Sequence, residues 1–499
     1  MSSLLDKRVG AATLGALAAA AAAAGAVGCG ATGKAAPPIV PSHGPNLIVI
    51  TTDDQALNSF TREAMPRTFH LVVDHGTQFR QGIAAPPLCC PDRAGFLTGE
   101  YPHNHGDFHN TPGYADLRDP DQTLPTWLQA HGYETGMVGK YLNGTKPALG
   151  ASPAPGWDDW EVLYGEHGYF DAPLTVNGEV TKPSALYMPT EFNRRASEFV
   201  SEASGEQPFF LWLAQEPPHF RKGDTEVCPG YAPKALPEDY RRFRHASLPR
   251  PPSFNERDIS DKPEKLVSKL PRLDRTDVHR LERNYRCTLA SLQEVDRGVK
   301  EVWRAVKKQG EENDTVLVYT SDNGLLFGEH RIAARKGRVY DEAVRVPLAM
   351  RVPQAVLGAR RVRRVSQQVT NLDLTATLLE LAGVQPCTAS DCRTVDGRSA
   401  VGLLRGDRSS WPDDRGVLLE QGGHGCKFAA VRTRRYVYAE SLKFHHDECL
   451  VRDRELYDLR RDPYELRNIA HRSSVDERLR IRLDKLRECS GTDGSDACE

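Results

Sequence analysis

Three runs of consecutive apolar residues punctuate the chain: Leu47–Ile50 in PNLIVITTDD, Phe209–Leu213 in PFFLWLAQEPPH and Val316–Tyr319 in DTVLVYTSDNG. Each is too short for a helix and stops abruptly at polar residues, which predicts a strand. Because the runs are continuous rather than alternating, the strands are expected to be covered on both faces by helices. Between the second and third runs, Leu289, Leu292, Val295, Val299, Val302 and Val306 recur at helical spacing and mark one face of a helix. TNLDLTATLLELAGV reads as another helix, ended by Gly383. Alternating strands and helices predict an α/β fold, whose ligands bind beyond the carboxyl ends of the strands. Asp53, Asp54, His219, Asp322 and Asn323 all fall at that edge.

The pattern changes twice. Residues 220–276 are rich in proline and charge with weak periodicity, and read as an insertion over the sheet edge that forms a substrate rim. After Gly406 short strands precede a charged helix, a smaller α+β subdomain. The expected organisation is therefore a main domain over 45–406, containing the 220–276 insertion, and a subdomain over 407–499. Ahead of them, Lys7 and Arg8 precede an Ala/Gly-rich apolar run ending in AVGCG, the parts of an export signal over 1–28. Cys29 stands where a lipidated cysteine would, and residues 29–44 read as a flexible linker. A cleaved lipoprotein signal, a plain cleaved signal and a retained membrane helix all remain open, with a surface lipoprotein preferred over a freely secreted protein.

Cysteine usage agrees with export. Of 11 cysteines, setting aside Cys29, Cys89 and Cys90 leaves an even number, compatible with four bridges in an oxidising compartment. Cys387 with Cys392, Cys426 with Cys449, and Cys489 with Cys498 pair by closeness alone, with connectivity otherwise open. A hydrophobic content of 39%, a charged content of 26% and a net charge of −2 are those of a globular protein. They give no reason to expect nucleic acid, or a membrane other than through a lipid on Cys29. Anion binding must be local.

Candidate chemistry gathers around LCCPDRAGFLTG, Leu88–Gly99, a loop entering a helix. Adjacent cysteines bridge poorly to each other, and no second nearby pair offers a zinc site. Asp53–Asp54 and Asp322–Asn323 supply hard oxygen ligands of the kind calcium or magnesium takes. Singly, an aspartate after a strand is more often a turn former, and Lys140, Lys336 and His219 default to surface or structural roles. Taken together they could surround a tetrahedral oxyanion such as sulfate or phosphate.

CCPDRAGFLTG, PNLIVITTDDQ, GKYLNG, PPHF, TSDNG…GEH…RKG, VRVPL, NLDLTATLLELAGV and ELYDLRRDPYELRNIA resemble, in order, the motif blocks of the type I sulfatases. The resemblance spans about Pro45 to Ala470, and PLCCPDR, YPHNHG, GKYLNG and PGWDDWE are most similar to the N-acetylglucosamine-6-sulfatase branch. It implies an alkaline-phosphatase-like α/β/α sandwich with a large mixed sheet. It also implies oxidation of Cys89 to Cα-formylglycine by a maturation enzyme, a diol nucleophile and a sulfoenzyme intermediate. Asp53, Asp54, Asp322, Asn323 and the converted Cys89 would hold one Ca²⁺. Arg93 would stabilise the hydrated aldehyde; Lys140, Lys336 and His219 would bind sulfate, with Lys336 or His219 as the acid. The implied substrate is a sulfated carbohydrate or other sulfate ester. A phosphate or phosphonate ester hydrolase of the same fold, and a glycan-binding lipoprotein with unconverted Cys89, are the rival readings. Two departures stand out. Asp92 replaces the usual Ser or Ala and is expected to add negative charge beside an anion site. Leu142 replaces the His of many arylsulfatases, leaving the base for the elimination step unassigned.

Overall fold

The computed structural model describes residues 44–499 apart from 166–167, 184–186, 204, 224, 264–266, 389–391, 423–425, 447, 471–473, 491–497 and 499. The expected export signal, Cys29 and the linker up to residue 43 lie outside the described residues. No helix among the described residues is long and apolar enough to cross a membrane.

In chain order the first strands are β1 Asn46–Thr52, β2 Thr77–Ile83, β3 Glu134–Gly139 and β4 Asp159–Leu163. They are followed by β5 Leu174–Val176, β6 Glu179–Thr181, β7 Phe209–Ala214 and β8 Thr315–Ser321. β9 Leu326–Phe327 and β10 Ala333–Arg335 form a small antiparallel ribbon. β11 Arg345–Val346, β12 Leu348–Arg351 and β13 Arg364–Thr370 rejoin the main sheet. That sheet has eleven strands in the order β11-β2-β12-β8-β1-β7-β3-β4-β5-β6, with β13 paired to β2. Its centre, β8-β1-β7-β3-β4, is parallel, and antiparallel pairs flank it. The sheet is thus large and mixed, as expected.

Why the central strands read as unbroken apolar runs is visible in their packing. In β1, Leu47 and Val49 enter one buried cluster, while Ile48 and Ile50 enter another on the opposite face. Phe210 and Trp212 against Leu211 and Leu213, and Val316 and Val318 against Leu317 and Tyr319, divide in the same way. Alternate side chains leave opposite faces of a strand, so a strand covered on both sides needs every position apolar.

The helix Arg275–Gln309 covers the face of Ile48 and Ile50 and buries the whole expected row, Leu289 to Val306. It starts at a capping box, where Asp274 accepts the backbone N–H of Asp277, and ends at Gly310 in the left-handed region. The helices Cys89–Thr98 and Asn371–Ala382 pack on the other face. The latter starts at Thr370 and stops at Gly383, φ 69°, as its sequence predicts.

β14 Val417–Gln421, β15 Phe428–Arg432, β16 Tyr436–His445 and β17 Glu448–Asp458 form a separate antiparallel sheet, backed by the charged helix Val475–Glu488. Disulfides join Cys387 to Cys392, Cys426 to Cys449 and Cys489 to Cys498, the pairs expected from closeness. The fourth joins Cys228 to Cys287 and ties the 220–276 segment to the long helix.

Among the described residues, two glutamates, buried Glu329 and half-buried Glu342, have no ion-pair partner. Burial, with the neighbouring carboxyl adding to it for Glu342, pushes Glu329 and Glu342 up to about 7. Such a group is protonated in the folded chain while the unfolded chain has already ionised it. Its contribution to stability therefore falls as pH rises from about 4.5 to about 7. The Glu329→Gln/Glu342→Gln variant lacks this penalty. Its melting temperature, relative to the parent, is expected to rise by roughly 3 °C between pH 5 and pH 8. An offset equal at both pH values, measured by calorimetry, would show that the two carboxyls are already ionised in the fold.

Candidate active site

Four adjacent parallel strands deliver the site. β1 pairs with β8 in a register that sets Thr52 beside Ser321, so the following residues, Asp53–Asp54 and Asp322–Asn323, emerge side by side. On the other side of β1, β7 runs into Gln215–Glu216–Pro217–Pro218 and carries His219 to the same edge. β3, next to β7, ends at Gly139 and places Lys140 there. Gly139, at φ 108°, is required: a Cβ would stand 2.1 Å from the Ala214 carbonyl oxygen. Asp54 itself adopts φ 69°, a left-handed conformation that aspartate tolerates better than most residues.

Cys89 enters from the side, at the first turn of the Cys89–Thr98 helix, with its sulfur 3.4 Å from Asp53 Oδ1. Arg93, one turn on, is buried among the acids. Its Nε donates to Asp322 Oδ2 at 2.8 Å, its Nη2 lies 3.5 Å from Asp53 Oδ2, and its Nη1 donates to the Lys140 carbonyl. Lys140 Nζ donates to Asp53 Oδ2, whereas Lys336 Nζ contacts both Asp54 Oδ1 and the Cys89 sulfur. His219 Nε2 lies 3.8 Å from Asp54 Oδ2. Asn323 Nδ2 donates to Asp54 Oδ1 at 2.6 Å, and Asp322 Oδ1 accepts the backbone N–H of Asp54 at 3.1 Å. All nine residues singled out from the sequence are thus brought into one cluster.

The electrostatics follow from burial. Asp53, Asp54 and Asp322 are almost wholly buried. Burial works against charge on Asp53, but Lys140 and the other cations around it outweigh that and hold its carboxyl well below the usual range. Burial dominates at Asp54, which is raised, and at Asp322, raised to about 6 with Asp53 adding to the effect. Burial, reinforced by Asp53, pushes the Cys89 thiol up to about 12, so the unmodified side chain is a thiol and not a thiolate.

The donor set fits a hard divalent cation. Three carboxylates and an amide converge, all oxygen donors of the kind calcium and magnesium take. Asn323 Oδ1 is buried without a hydrogen-bond partner among the described residues, beside two carboxyls whose acidity burial suppresses. Asp53, Asp54, Cys89 and His219 also offer ligand atoms within 4.8 Å of one another. The sulfur of Cys89 is too soft a donor for such a cation, but an oxygen at that position would join the set.

The cluster adjoins a cavity of about 710 Å³. Asp54, His219 and Lys336 face it, whereas Lys140 sits deeper, beneath Asp53. Of the 220–276 segment, Phe220 and Tyr231 line the cavity; other walls come from the long helix, from residues 333–338 and from Lys427.

Sequence reasoning missed the supports of His219. Tyr169 OH donates to the His219 carbonyl at 2.8 Å, and buried Glu216, three residues upstream, accepts the Gly168 N–H at 2.9 Å. Only Glu216, in QEPPH, carried a local signal. Two departures noted above are explained by burial. Asp92 is 3% exposed, and burial raises its carboxyl well above the usual range, which works against the negative charge expected beside the anion site. Leu142 packs in the hydrophobic cluster below the sheet edge, where a polar side chain would be buried. Cys90 is fully buried.

Residues 45–384 match the protein family described as Sulfatase, and residues 328–489 match that described as N-sulphoglucosamine sulphohydrolase, C-terminal. The N-acetylglucosamine-6-sulfatase of Capra hircus is 29% identical over 90% of this chain and 84% of its own. Among solved structures, one in complex with its substrate D-glucosamine-2-N,6-O-disulfate superposes with a TM-score of 0.69 at 22% identity, covering 88% of this chain and 97% of that chain. The phosphonate monoester hydrolase of Agrobacterium radiobacter superposes with a TM-score of 0.64 at 20% identity, covering 89% of this chain and 94% of that chain. These two show the shared fold.

Proposed function

The chain belongs to the sulfatase family, with the alkaline-phosphatase-like α/β/α fold, and we propose that it hydrolyses the sulfate ester of a sulfated sugar such as N-acetylglucosamine 6-sulfate. The observation that carries this reading is the position of Cys89, its sulfur touching Asp53 and Lys336, the latter lining a cavity of about 710 Å³. The sugar is suggested by the relatives' substrates and by Tyr231, 52% exposed at the cavity wall with the tilted ring of Phe220 5.6 Å away, an aromatic face for a ring.

In this reading a maturation enzyme converts Cys89, in Cys89–Cys90–Pro91–Asp92–Arg93, to formylglycine, whose hydrated aldehyde supplies an oxygen nucleophile. A Ca²⁺ held by Asp53, Asp54, Asp322 and Asn323 would supply positive charge to the nucleophile and the sulfate. The chain's own groups do the rest. Arg93 bridges Asp322 and Asp53 and fixes both carboxylates. Lys140 balances the charge of Asp53 from below. Lys336 and His219, both facing the cavity, are placed to meet sulfate oxygens and the departing sugar oxygen. The reading extends to export: four disulfides suit an oxidising compartment, and a lipid on Cys29 would tether the chain to a cell surface.

Tryptic mass spectrometry across Cys89, on protein co-expressed with a competent maturation enzyme, tests the proposal. A loss of about 18 Da marks formylglycine, and matched assays should then show release of sulfate faster than cleavage of phosphonate esters. An intact thiol would instead favour a glycan-binding protein without turnover.

A further inference from the structure

Above Cys89 the cavity wall carries more positive charge than a single sulfate requires. Besides Lys336 it is lined by Arg335, Arg338, Lys427 and Arg280, against one acidic lining residue, Asp54. Arg280 is neutralised by Asp277 at 2.5 Å. Among the described residues, Arg335, Arg338 and Lys427 have no ion-pair partner. They come from two distant segments, since Arg335 and Arg338 flank Lys336 while Lys427 leads into β15 in the second sheet.

Their placement is fixed by the backbone. Lys427 Nζ donates to Gln421 Oε1 at 3.1 Å and to the Gly337 carbonyl at 3.3 Å, which joins the two segments directly. Arg338 Nη1 donates to that same carbonyl at 2.9 Å, and its Nε is buried with no hydrogen-bond partner among the described residues. Gly337 in turn donates its N–H to the Pro87 carbonyl at 3.0 Å, tying the group to the loop that precedes Cys89. Gly337 is needed there: it has φ 66°, and a Cβ would lie 2.8 Å from Gln421 Oε1 and 3.2 Å from Lys427 Nζ. Two cations, Lys427 and Arg338, share one carbonyl, and Arg335 lines the same cavity; with no carboxylate paired to any of them among the described residues, the three repel one another. The repulsion shows at Lys427, which burial, with Arg338 and Arg335 adding to it, pushes down to about 8. A pocket that maintains such crowding is complementary to an anion.

We propose that Arg335, Arg338 and Lys427 form a subsite for a second anionic group of the glycan, a sulfate or a carboxylate, held while Lys336 and Cys89 address the scissile ester. The inference rests on the sulfated-sugar reading above and narrows its substrate class from singly to multiply charged glycans. Specificity on this account comes as much from the 335–338 segment and the second sheet as from the 220–276 insertion expected to set it.

Affinity measured on the Cys89→Ala protein separates this inference from the reading beneath it, because it needs no turnover. The probes are N-acetylglucosamine 6-sulfate, N-acetylglucosamine 3,6-disulfate, and the 6-sulfated sugar joined to glucuronate, titrated calorimetrically. One or both doubly charged sugars should bind at least about tenfold more tightly than the monosulfate, the value of a charge-assisted contact, with the advantage shrinking in high salt. Which of the two gains identifies sulfate or carboxylate. Arg338→Met and Lys427→Met, each added to Cys89→Ala, should bring the ratio toward one, while Lys427→Arg should keep it. Equal affinities for all three sugars, or a preference untouched by both methionine variants, would overturn the subsite. If the preference holds but the formylglycine-bearing parent desulfates none of these sugars, the subsite stands and the substrate assignment falls.

Discussion

Cys89→Ala is expected to lower kcat for sulfate release by about 10⁵-fold or more, the scale on which a covalent nucleophile is lost, with little change in melting temperature. The substitution removes one sulfur atom from the first turn of a helix whose packing rests on Cys90, Ala94, Phe96 and Leu97. The contacts forfeited, to Asp53 and Lys336, are polar and are replaced by those these two groups make elsewhere in the cluster. A large kinetic loss with an intact fold therefore isolates chemistry from architecture. Turnover within tenfold of the parent would remove Cys89 from the nucleophile position and leave the family's chemistry without a carrier in this chain.

Asp322→Ala is expected to cost at least about 10²-fold in kcat/KM, by analogy with removal of one preorganised electrostatic group, and to raise the Ca²⁺ concentration needed for half-maximal activity. Two contacts disappear together. Arg93 loses the partner that its Nε holds at 2.8 Å, and the Asp54 N–H loses the oxygen that fixes the left-handed turn at 3.1 Å. An oxygen donor to the proposed cation would be lost as well. In the parent protein, chelation with EGTA should abolish activity and added Ca²⁺ should restore it. Full activity in the parent after exhaustive chelation would take the metal out of the mechanism, whatever Asp322→Ala does.

The sequence made the candidate residues at the sheet edge legible because they follow apolar runs directly. Asp53, Asp54, Asp322 and Asn323 needed only the inference that β1 and β8 are parallel neighbours, and the pattern of continuous burial supplied it. The rows on the Arg275–Gln309 and Asn371–Ala382 helices were equally plain. Less visible were β2, whose TQFRQGI alternates with polar residues, and β3, whose ETGMVG carries two glycines. These strands are recognised by their neighbours rather than by their own composition. Asp92 was harder to read because a side chain's charge depends on burial that no local pattern reports. Lys427 was invisible for another reason: it meets Gly337 across 90 residues, through a contact between separate sheets.

The register of the four central strands has a consequence for how such a protein diversifies. Neighbouring strands stand about 4.8 Å apart, so the distances among Asp53, Asp322, His219 and Lys140 are inherited from the hydrogen-bonded ladder. Side-chain substitutions at the cavity mouth leave that ladder alone. The cluster at the sheet edge is in this sense a fixed gauge, while the segments around Arg338 and Lys427 are interchangeable parts mounted on it. Exchanging residues 422–427 between homologous chains should accordingly redirect which glycan is accepted while the bond that is broken stays the same.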